Sequence, residues 1–366
     1  MFLVPPSDPE LTTGTDSVAD SSRRAFLTRL TVLVATASFG FTPKSDAADG
    51  WWDEPPPVSR PNWPARSPQY WNRPPARPWS QPPAYRRYQP PTQPPLQSWA
   101  TTDLNASIEH HMARLRQSGR LAADERTAWL VYDFTSRRYL ITVNAGAPYQ
   151  SASMIKPFIA LAFFNKVREG KLQYTPYHRA RMEAMIQHSD NQATNYFIEL
   201  LNRTSARSGP AEAEHTLKHR HPGIFRQTRI VERIPGGGRS YRNKASALDY
   251  HRFLYALWYD QLPYSSELKR LMGLPNRDRI YTEAGGVARQ TWVFDKTGTT
   301  ARLCGDMGIL VAQGRDGRRY PYTFIGIIEK ARPASNYTAW MNARGDVIRE
   351  VSSIVYRHLR QMHDLV

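Results

Sequence analysis

The pattern of apolar and polar residues predicts a folded domain over residues 101–366, which begins with one helix and two strands. Apolar residues three or four positions apart predict the helix, namely Leu104, Ile108, Met112 and Leu115. Residues 127–133 and 139–143 are short runs rich in strand-forming side chains, joined by a turn at 135–137. The start of the domain therefore supplies the first part of a sheet.

A block of helices is predicted after these two strands. The apolar run 157–164 predicts a buried helix, residues 181–187 are also predicted to be helical, and an amphipathic helix begins at Ala193. Ser246, followed by Asp249, resembles a capping box at the start of a helix that continues to residue 258.

Strands return near the C-terminus. Residues 291–297, 307–312 and 322–328 predict three strands in succession, as in an antiparallel meander. A closing amphipathic helix is predicted from the apolar positions Val347, Ile348, Val351, Ile354, Val355 and Leu359. Because strands stand at both ends of the domain, one sheet has to be assembled from both ends. The predicted fold class is α+β.

Residues 1–48 have the pattern of an export signal. Arg23 and Arg24 precede an apolar run of about a dozen residues, which is too short to span a bilayer as a helix. Small residues follow, and cleavage is plausible after Ala47 or Ala48. The segment resembles a twin-arginine signal, which predicts a periplasmic or secreted protein.

Residues 49–100 are predicted to form a disordered linker. Fifteen of the 29 prolines and five of the ten tryptophans lie between residues 51 and 97, with arginines among them. A segment of this composition is expected to be an extended, polyproline-like spacer. Its arginines and aromatic side chains could also contact the cell wall.

Composition limits the choice of partners and cofactors. The net charge of +17 and the isoelectric point of about 10.0 favour anionic partners such as cell-wall polymer, a membrane surface or nucleic acid. The basic residues are scattered and no nucleic-acid-binding motif accompanies them, so no nucleic-acid partner is expected. Cys304 is the only cysteine, which excludes an intramolecular disulfide and a thiolate metal cluster and predicts a small core residue. We expect a monomer without metal or cofactor.

Three short motifs carry the candidate chemistry. Ser153 and Lys156 are three residues apart, which places them on one face of a helix. A serine hydroxyl needs a base to become a nucleophile, and a lysine amine can serve when burial or nearby positive charge lowers its pKa. Ser189-Asp190-Asn191 and Lys296-Thr297-Gly298 follow downstream.

With these motifs in this order, residues 102–362 resemble the class A β-lactamases and their penicillin-binding relatives. The resemblance implies a five-stranded antiparallel sheet flanked by helices, with a helical subdomain forming the other wall of the cleft. The predicted two plus three strands agree with that fold. The resemblance also implies a serine hydrolase whose substrate is a β-lactam or a peptidoglycan stem peptide.

The resemblance assigns roles to the motif residues. Ser153 would attack the acyl carbon, Lys156 would take its proton, and Ser189 would relay that proton to the leaving nitrogen. The backbone N–H groups of Ser153 and Thr299 would form the oxyanion hole.

The remaining residues of the motifs would bind the substrate. Asn191 would hold a side-chain amide of the substrate, and Lys296 would direct positive charge toward its carboxylate. Thr297 and Thr299 would donate hydrogen bonds to the carboxylate, with Gly298 between them.

Deacylation is where the sequence departs from the class A pattern. Class A enzymes activate water with a glutamate in a Glu-x-x-Leu-Asn loop shortly before an Ile-Pro. When the chain is aligned on Ile234-Pro235, Gln227 stands where that glutamate is expected. A glutamine cannot act as a general base, so the acyl-enzyme should persist. Glu232 could replace it only if the loop follows a different path.

Two further departures concern the cleft. Ser189 follows Ser153 by only 36 positions, fewer than in typical class A enzymes, which predicts an open groove better suited to a peptide. The carboxylate-binding arginine expected on the next strand is not evident, since Gly305 or Met307 stands there and Arg302 is the nearest candidate.

Three functions stay open at this point. The protein could be a β-lactamase or D,D-peptidase, a slowly reacting penicillin-binding sensor, or a wall-associated protein with vestigial chemistry. Intact Ser153, Lys156, Ser189 and Lys296 argue against the last of these.

Overall fold

The structure is a computed structural model and describes residues 103–235 and 242–366. The predicted export signal (1–48) and linker (49–100) lie outside the described residues. The described strands are β1 (Glu125–Asp133), β2 (Arg138–Val143), β3 (Pro148–Gln150), β4 (Lys244–Ser246), β5 (Trp292–Thr299), β6 (Leu303–Gln313) and β7 (Arg319–Lys330). The described α-helices are α1 (Asp103–Gln117), α2 (Lys156–Arg168), α3 (Pro176–Gln187), α4 (Asn191–Asn202), α5 (Gly209–Arg220), α6 (Ala247–Trp258), α7 (Ser265–Met272) and α8 (Tyr337–His363).

Five of these strands form one antiparallel sheet in the order β2-β1-β7-β6-β5. The N-terminal hairpin pairs with β7, so that the sheet is assembled from both ends of the domain as predicted. Strand β5 lies at the edge of this sheet. The α+β class and the five-stranded sheet are confirmed.

Side chains alternate between two cores, one on each face of the sheet. Leu130 belongs to the core between the sheet and α2 to α7, whereas its neighbour Trp129 belongs to the core beneath α1 and α8. Because both faces are covered, β6 is buried along almost its whole length. Cys304 lies in the second core with no exposed surface, which confirms the prediction of a core residue.

Helix α2 is buried on nearly all sides, because every residue from Lys156 to Lys166 is buried. The Phe158 ring packs against Phe225, Tyr250 and Phe253, with centroids 4.8 to 5.3 Å away. This packing fixes the helix that follows the candidate nucleophile.

The structure also differs from the predicted elements. The segment with Ser153 is a 3₁₀ turn, Ala152–Ile155, that leads into α2 rather than being its first α-helical turn. The short β3–β4 pair and the helices α5 and α7 were not predicted, because β3 and β4 span three residues each, α7 spans only eight, and α5 has few apolar residues. The capping of α6 is confirmed: the Asp249 N–H donates to Ser246 Oγ at 3.1 Å. None of the described helices combines the length and apolarity needed to cross a membrane.

Candidate active site

The candidate nucleophile lies on a strained turn between β3 and α2. Ala152 has a φ of 46°, in the left-handed region that residues with a Cβ seldom occupy. Ser153 is partly exposed, whereas Ala152 and Met154 on either side of it are fully buried. The Lys156 N–H donates to the Ser153 carbonyl and closes the turn. The turn therefore presents the Ser153 side chain at the surface while its neighbours anchor it in the core.

Lys156 connects the first two motifs. Its side chain has no exposed surface, and Nζ donates to Asn191 Oδ1 at 2.8 Å, to Ser189 Oγ at 3.2 Å and to the Ser189 carbonyl. Three acceptors match the three N–H bonds of an ammonium group. When the amine is neutral, the Ser189 hydroxyl can instead donate to its lone pair, so this contact is suited to passing a proton between the two groups.

The second motif is held by the start of α4. Ser189 has a φ of 61°, another left-handed residue, and Asp190 caps the helix by accepting from the Ala193 N–H at 2.6 Å. Asn191 is the first residue of α4. The helix cap thus fixes Ser189 and Asn191 against Lys156, and it accounts for the middle residue of the motif.

Strand β5 forms the other side of the site, and Gly298 allows it to approach the nucleophile turn. A Cβ built on Gly298 would lie 2.9 Å from Met154 Cγ and 3.1 Å from Ala152 Cβ. A Cβ on Gly305, its partner on β6, would lie 2.8 Å from Met154 Cε. The two glycines make room for the turn, so Gly298 has a packing role in addition to the substrate-binding role predicted for it.

The end of β5 has an arginine that the sequence analysis missed. Arg279, in the segment before β5, donates through Nη2 to Thr299 Oγ1 at 2.8 Å and through Nη1 to the Gly305 carbonyl at 3.1 Å. Since the Thr299 oxygen accepts this bond, its O–H is available to donate to a substrate. The candidate Arg302 donates through Nε to the Lys330 carbonyl at 3.2 Å.

Lys296 and Asp306 are buried ionisable groups on the two strands at this end of the cleft. Lys296 is 1% exposed, and burial lowers its pKa to about 8 against the opposing effect of Asp295 and Asp306. Asp306 lies on β6 directly opposite Thr297. Burial, with the nearby Asp278, raises the pKa of Asp306 to about 7.

The two deacylation-loop candidates do not contact the nucleophile pair. Gln227 is exposed, and within residues 103–235 and 242–366 its side chain forms no hydrogen bond to Ser153 or Lys156; its backbone N–H donates to Asp249 at 2.8 Å. The Glu232 carboxylate accepts from Arg242 Nε at 2.8 Å and is occupied by this ion pair.

Ile234 is the residue of this loop that is bound to the helix of the second motif. Asn195 lies one turn after Asn191 on α4, and its side chain forms two hydrogen bonds with the Ile234 backbone. Asn195 Nδ2 donates to the Ile234 carbonyl at 3.0 Å, and Asn195 Oδ1 accepts from the Ile234 N–H at 2.9 Å. The Ile234 side chain is 3% exposed and lies in the same core as Ala152 and Met154. The loop therefore meets the site with an aliphatic side chain.

These placements bring together a partly exposed serine, a buried lysine linked to a second serine, and a cationic strand edge. This set of groups can activate a hydroxyl, protonate a leaving group and bind an anionic substrate. Among the described residues, no group of three or more His, Cys, Asp or Glu side chains is arranged to hold a metal ion.

Comparison with known proteins agrees with this fold. The model of the Beta-lactamase enzyme family matches residues 112–177 and 178–359. A leucine-to-glutamate mutant of PBP-A, solved as an acyl-enzyme complex with penicillin G, is 21% identical, with a TM-score of 0.56 over 70% of this chain and 96% of that one. An ancestral class A β-lactamase is 20% identical (TM-score 0.54, 70% of this chain and 99% of that one).

A β-lactamase from Desulfarculus baarsii is 19% identical, with a TM-score of 0.54 over 70% of this chain and 98% of that one. No curated protein sequence matches the chain. At these identities the solved structures establish the fold alone, whereas the family model covers more than half of the chain. The chain belongs to the β-lactamase enzyme family, with the fold of the class A β-lactamases and penicillin-binding serine hydrolases.

Proposed function

We propose that this protein is an exported active-site serine hydrolase that reacts with β-lactams by forming an acyl-enzyme on Ser153 and releases the product slowly. The observation that carries the proposal is the contact of the buried Lys156 Nζ with Ser189 Oγ and Asn191 Oδ1, three residues after a partly exposed serine. The two motifs are 36 residues apart in sequence, and this contact joins them into one proton-transfer unit.

Acylation follows from these contacts. Ser153 Oγ forms a bond to the carbonyl carbon of the lactam while its proton passes to a neutral Lys156 amine. The C–N bond then breaks, and the leaving nitrogen receives a proton through the Ser189 hydroxyl. Lys296, Thr299 and Arg279 bind the carboxylate of the substrate, and the backbone N–H groups of Ser153 and Thr299 stabilise the oxyanion.

Slow deacylation is supported by the side chains near the pair. Gln227 is exposed, Glu232 is paired with Arg242, and the loop residue bound to α4 is the aliphatic Ile234. None of the three offers a free carboxylate to a water molecule beside Ser153. Without a general base, hydrolysis of the ester is expected to be the slow step.

A D,D-peptidase acting on peptidoglycan stem peptides is the second candidate. The short connection between Ser153 and Ser189 favours it, because a trimmed rim leaves the cleft open to an extended peptide. In this case the β-lactam is an inhibitor that mimics the peptide. Export by the twin-arginine route and contact of the basic, proline-rich residues 49–100 with the cell wall would bring the enzyme to its substrate.

Intact-mass spectrometry with benzylpenicillin tests the proposal. The wild-type protein should gain the mass of one penicillin, and the adduct should persist through a time course. Ser153→Ala should abolish the adduct, whereas Ser118→Ala, a matched control at the end of α1, should leave it unchanged. An adduct of undiminished amount on Ser153→Ala would overturn the assignment of the nucleophile.

The same samples, incubated with a D-alanyl-D-alanine peptide, separate the two candidates. Release of D-alanine by the wild type, together with a persistent penicillin adduct, supports the peptidase. Rapid loss of the adduct with catalytic turnover supports a β-lactamase.

A further inference from the structure

Asp306 is a buried carboxylate with one oxygen lacking a partner, at the cationic end of the cleft. Its side chain has no exposed surface, and it lies on β6 directly opposite Thr297 of β5. Oδ2 accepts the Arg279 backbone N–H at 2.7 Å. Oδ1 is buried and has no hydrogen-bond partner among the described residues. Burying an ionised carboxylate with an unsatisfied oxygen is costly, so this position needs an explanation.

The surroundings of Asp306 combine cations and other acids. The charged groups that act on Asp306 and on Lys296, besides each other, come from the segment before β5 and from β5. They are Asp278, Arg279 and Asp295. Arg344 and Arg349 of α8 act on Cys304, the buried thiol two residues before Asp306 on β6. Arg279 and Lys296 are the cations assigned above to the substrate carboxylate. Asp306 therefore acts on the same two positive charges that the substrate uses.

We propose that Asp306 sets the charge of this end of the cleft, so that a substrate carboxylate binds beside Lys296 and Arg279 only when Asp306 holds a proton. The inference rests on the proposed function and specifies how that site recognises its substrate. Asp306 acts through Lys296 and Arg279, which makes it a positioning residue and not a catalytic one.

Charge balance gives the physical reason. An ionised Asp306 neutralises one of the two cations and repels an arriving carboxylate at low local dielectric. A protonated Asp306 leaves both cations for the substrate, while its carbonyl oxygen still accepts the Arg279 N–H and keeps the arginine in place. Because the pKa of Asp306 is raised to about 7, the change of state falls within the pH range in which the protein can be assayed.

The direction of the pH dependence follows. Binding a second negative charge nearby raises the pKa of Asp306 further, so binding takes up a proton and weakens as the pH rises through 7. Loss of the Lys296 proton near pH 8 weakens binding again. Only the weakening of binding near pH 7 is caused by the titration of Asp306.

The test compares second-order acylation rate constants at pH 6 to 8 for benzylpenicillin and for its methyl ester, which lacks the negative charge. For the wild type, the ratio of the acid's rate constant to the ester's should fall about tenfold between pH 6 and pH 8. This is the loss expected when a single group with a pKa of about 7, Asp306, has to be protonated for the acid to bind. Asp306→Asn, which keeps an acceptor for the Arg279 N–H, should flatten this ratio up to pH 7.5. Asp346→Asn, which removes a 63% exposed carboxylate of α8, controls for a general effect of charge.

Each outcome is decisive. A wild-type ratio that does not change between pH 6 and 7.5 overturns the inference without any variant, so a failure of Asp306→Asn to fold leaves the test intact. An unchanged pH dependence in a folded Asp306→Asn protein also overturns it, while the proposed function stands. A wild-type protein that benzylpenicillin does not acylate at any pH overturns the proposed function, and the inference fails with it.

Discussion

Replacing Ile234 by glutamate should convert a persistent acyl-enzyme into one that hydrolyses. Asn195 donates one hydrogen bond to the Ile234 backbone and accepts another from it, and this fixes Ile234 one helical turn from Asn191, whose Oδ1 contacts the Lys156 amine. A carboxylate at position 234 would therefore start from the segment of the loop that is bound to the site. It would be expected to take a proton from water beside Ser153.

The size of the effect follows from the rate gained with a general base and from the stability lost with the apolar side chain. General-base assistance is worth about 10²–10⁴ in rate, or about 3–5 kcal/mol of activation free energy. The Ile234 side chain is 3% exposed, and losing its apolar burial costs about 1.5–3 kcal/mol of stability. The variant should therefore be less stable than the wild type and release its acyl group at least about a hundredfold faster.

Gln227→Glu is the matched comparison, because the sequence alignment assigns the base to that position. The Gln227 side chain is exposed and its backbone is bound to Asp249, so a carboxylate there should accelerate deacylation much less than one at position 234. The assay is the decay of the penicillin adduct by intact mass, with thermal unfolding of both variants as a control.

Two results would refute this reasoning. If the wild type already hydrolyses a chromogenic cephalosporin quickly and neither variant changes the rate, another group activates the water, and Glu232 is the first candidate. If Gln227→Glu gains as much as Ile234→Glu, the loop delivers the Gln227 side chain to the acyl-enzyme and the alignment on Ile234-Pro235 is right.

Further predictions concern labelling, export and stability. Ser153→Ala should lose covalent labelling by a fluorescent penicillin while its thermal unfolding stays close to that of the wild type. Changing Arg23 and Arg24 to lysine should retain the precursor in the cytoplasm, measured by cell fractionation; normal export of this variant would point to another kind of signal. Glu212→Gln should destabilise the fold by about 1.5–3 kcal/mol, measured by urea unfolding, because it removes the closer of the two carboxylates that pair with the buried Lys166 ammonium, Glu212 at 2.6 Å, and leaves only Glu169 at 3.3 Å. Burial raises the pKa of Glu212, but the hydrogen bonds from Lys166 and Ser205 outweigh it and hold this pKa at about 2, below its usual 4.5. The contribution of the pair is therefore full above pH 4.5 and is lost as the pH falls toward 2. A free energy of unfolding that is equally pH-dependent in the variant would contradict this.

The sequence by itself determined the number and order of the main strands and the residues of the three motifs. Both are local properties: a strand shows in its own short run of strand-forming side chains, and Ser153 and Lys156 are related by the spacing of one helical turn. The cap at Ser246 was also predicted, since it depends on residues only three apart.

Tertiary structure decided the surroundings of the motifs. Arg279 reaches Thr299, Asp306 lies opposite Thr297, and Asn195 binds Ile234, and each contact joins residues far apart in the chain. Sequence spacing does not specify these contacts, because strand register and loop path depend on how the helices pack on the sheet. The sequence identified the groups that can form an acyl-enzyme. Only the packed structure determined which side chains stand where water and the substrate carboxylate would bind, because burial and charge at those places come from distant segments.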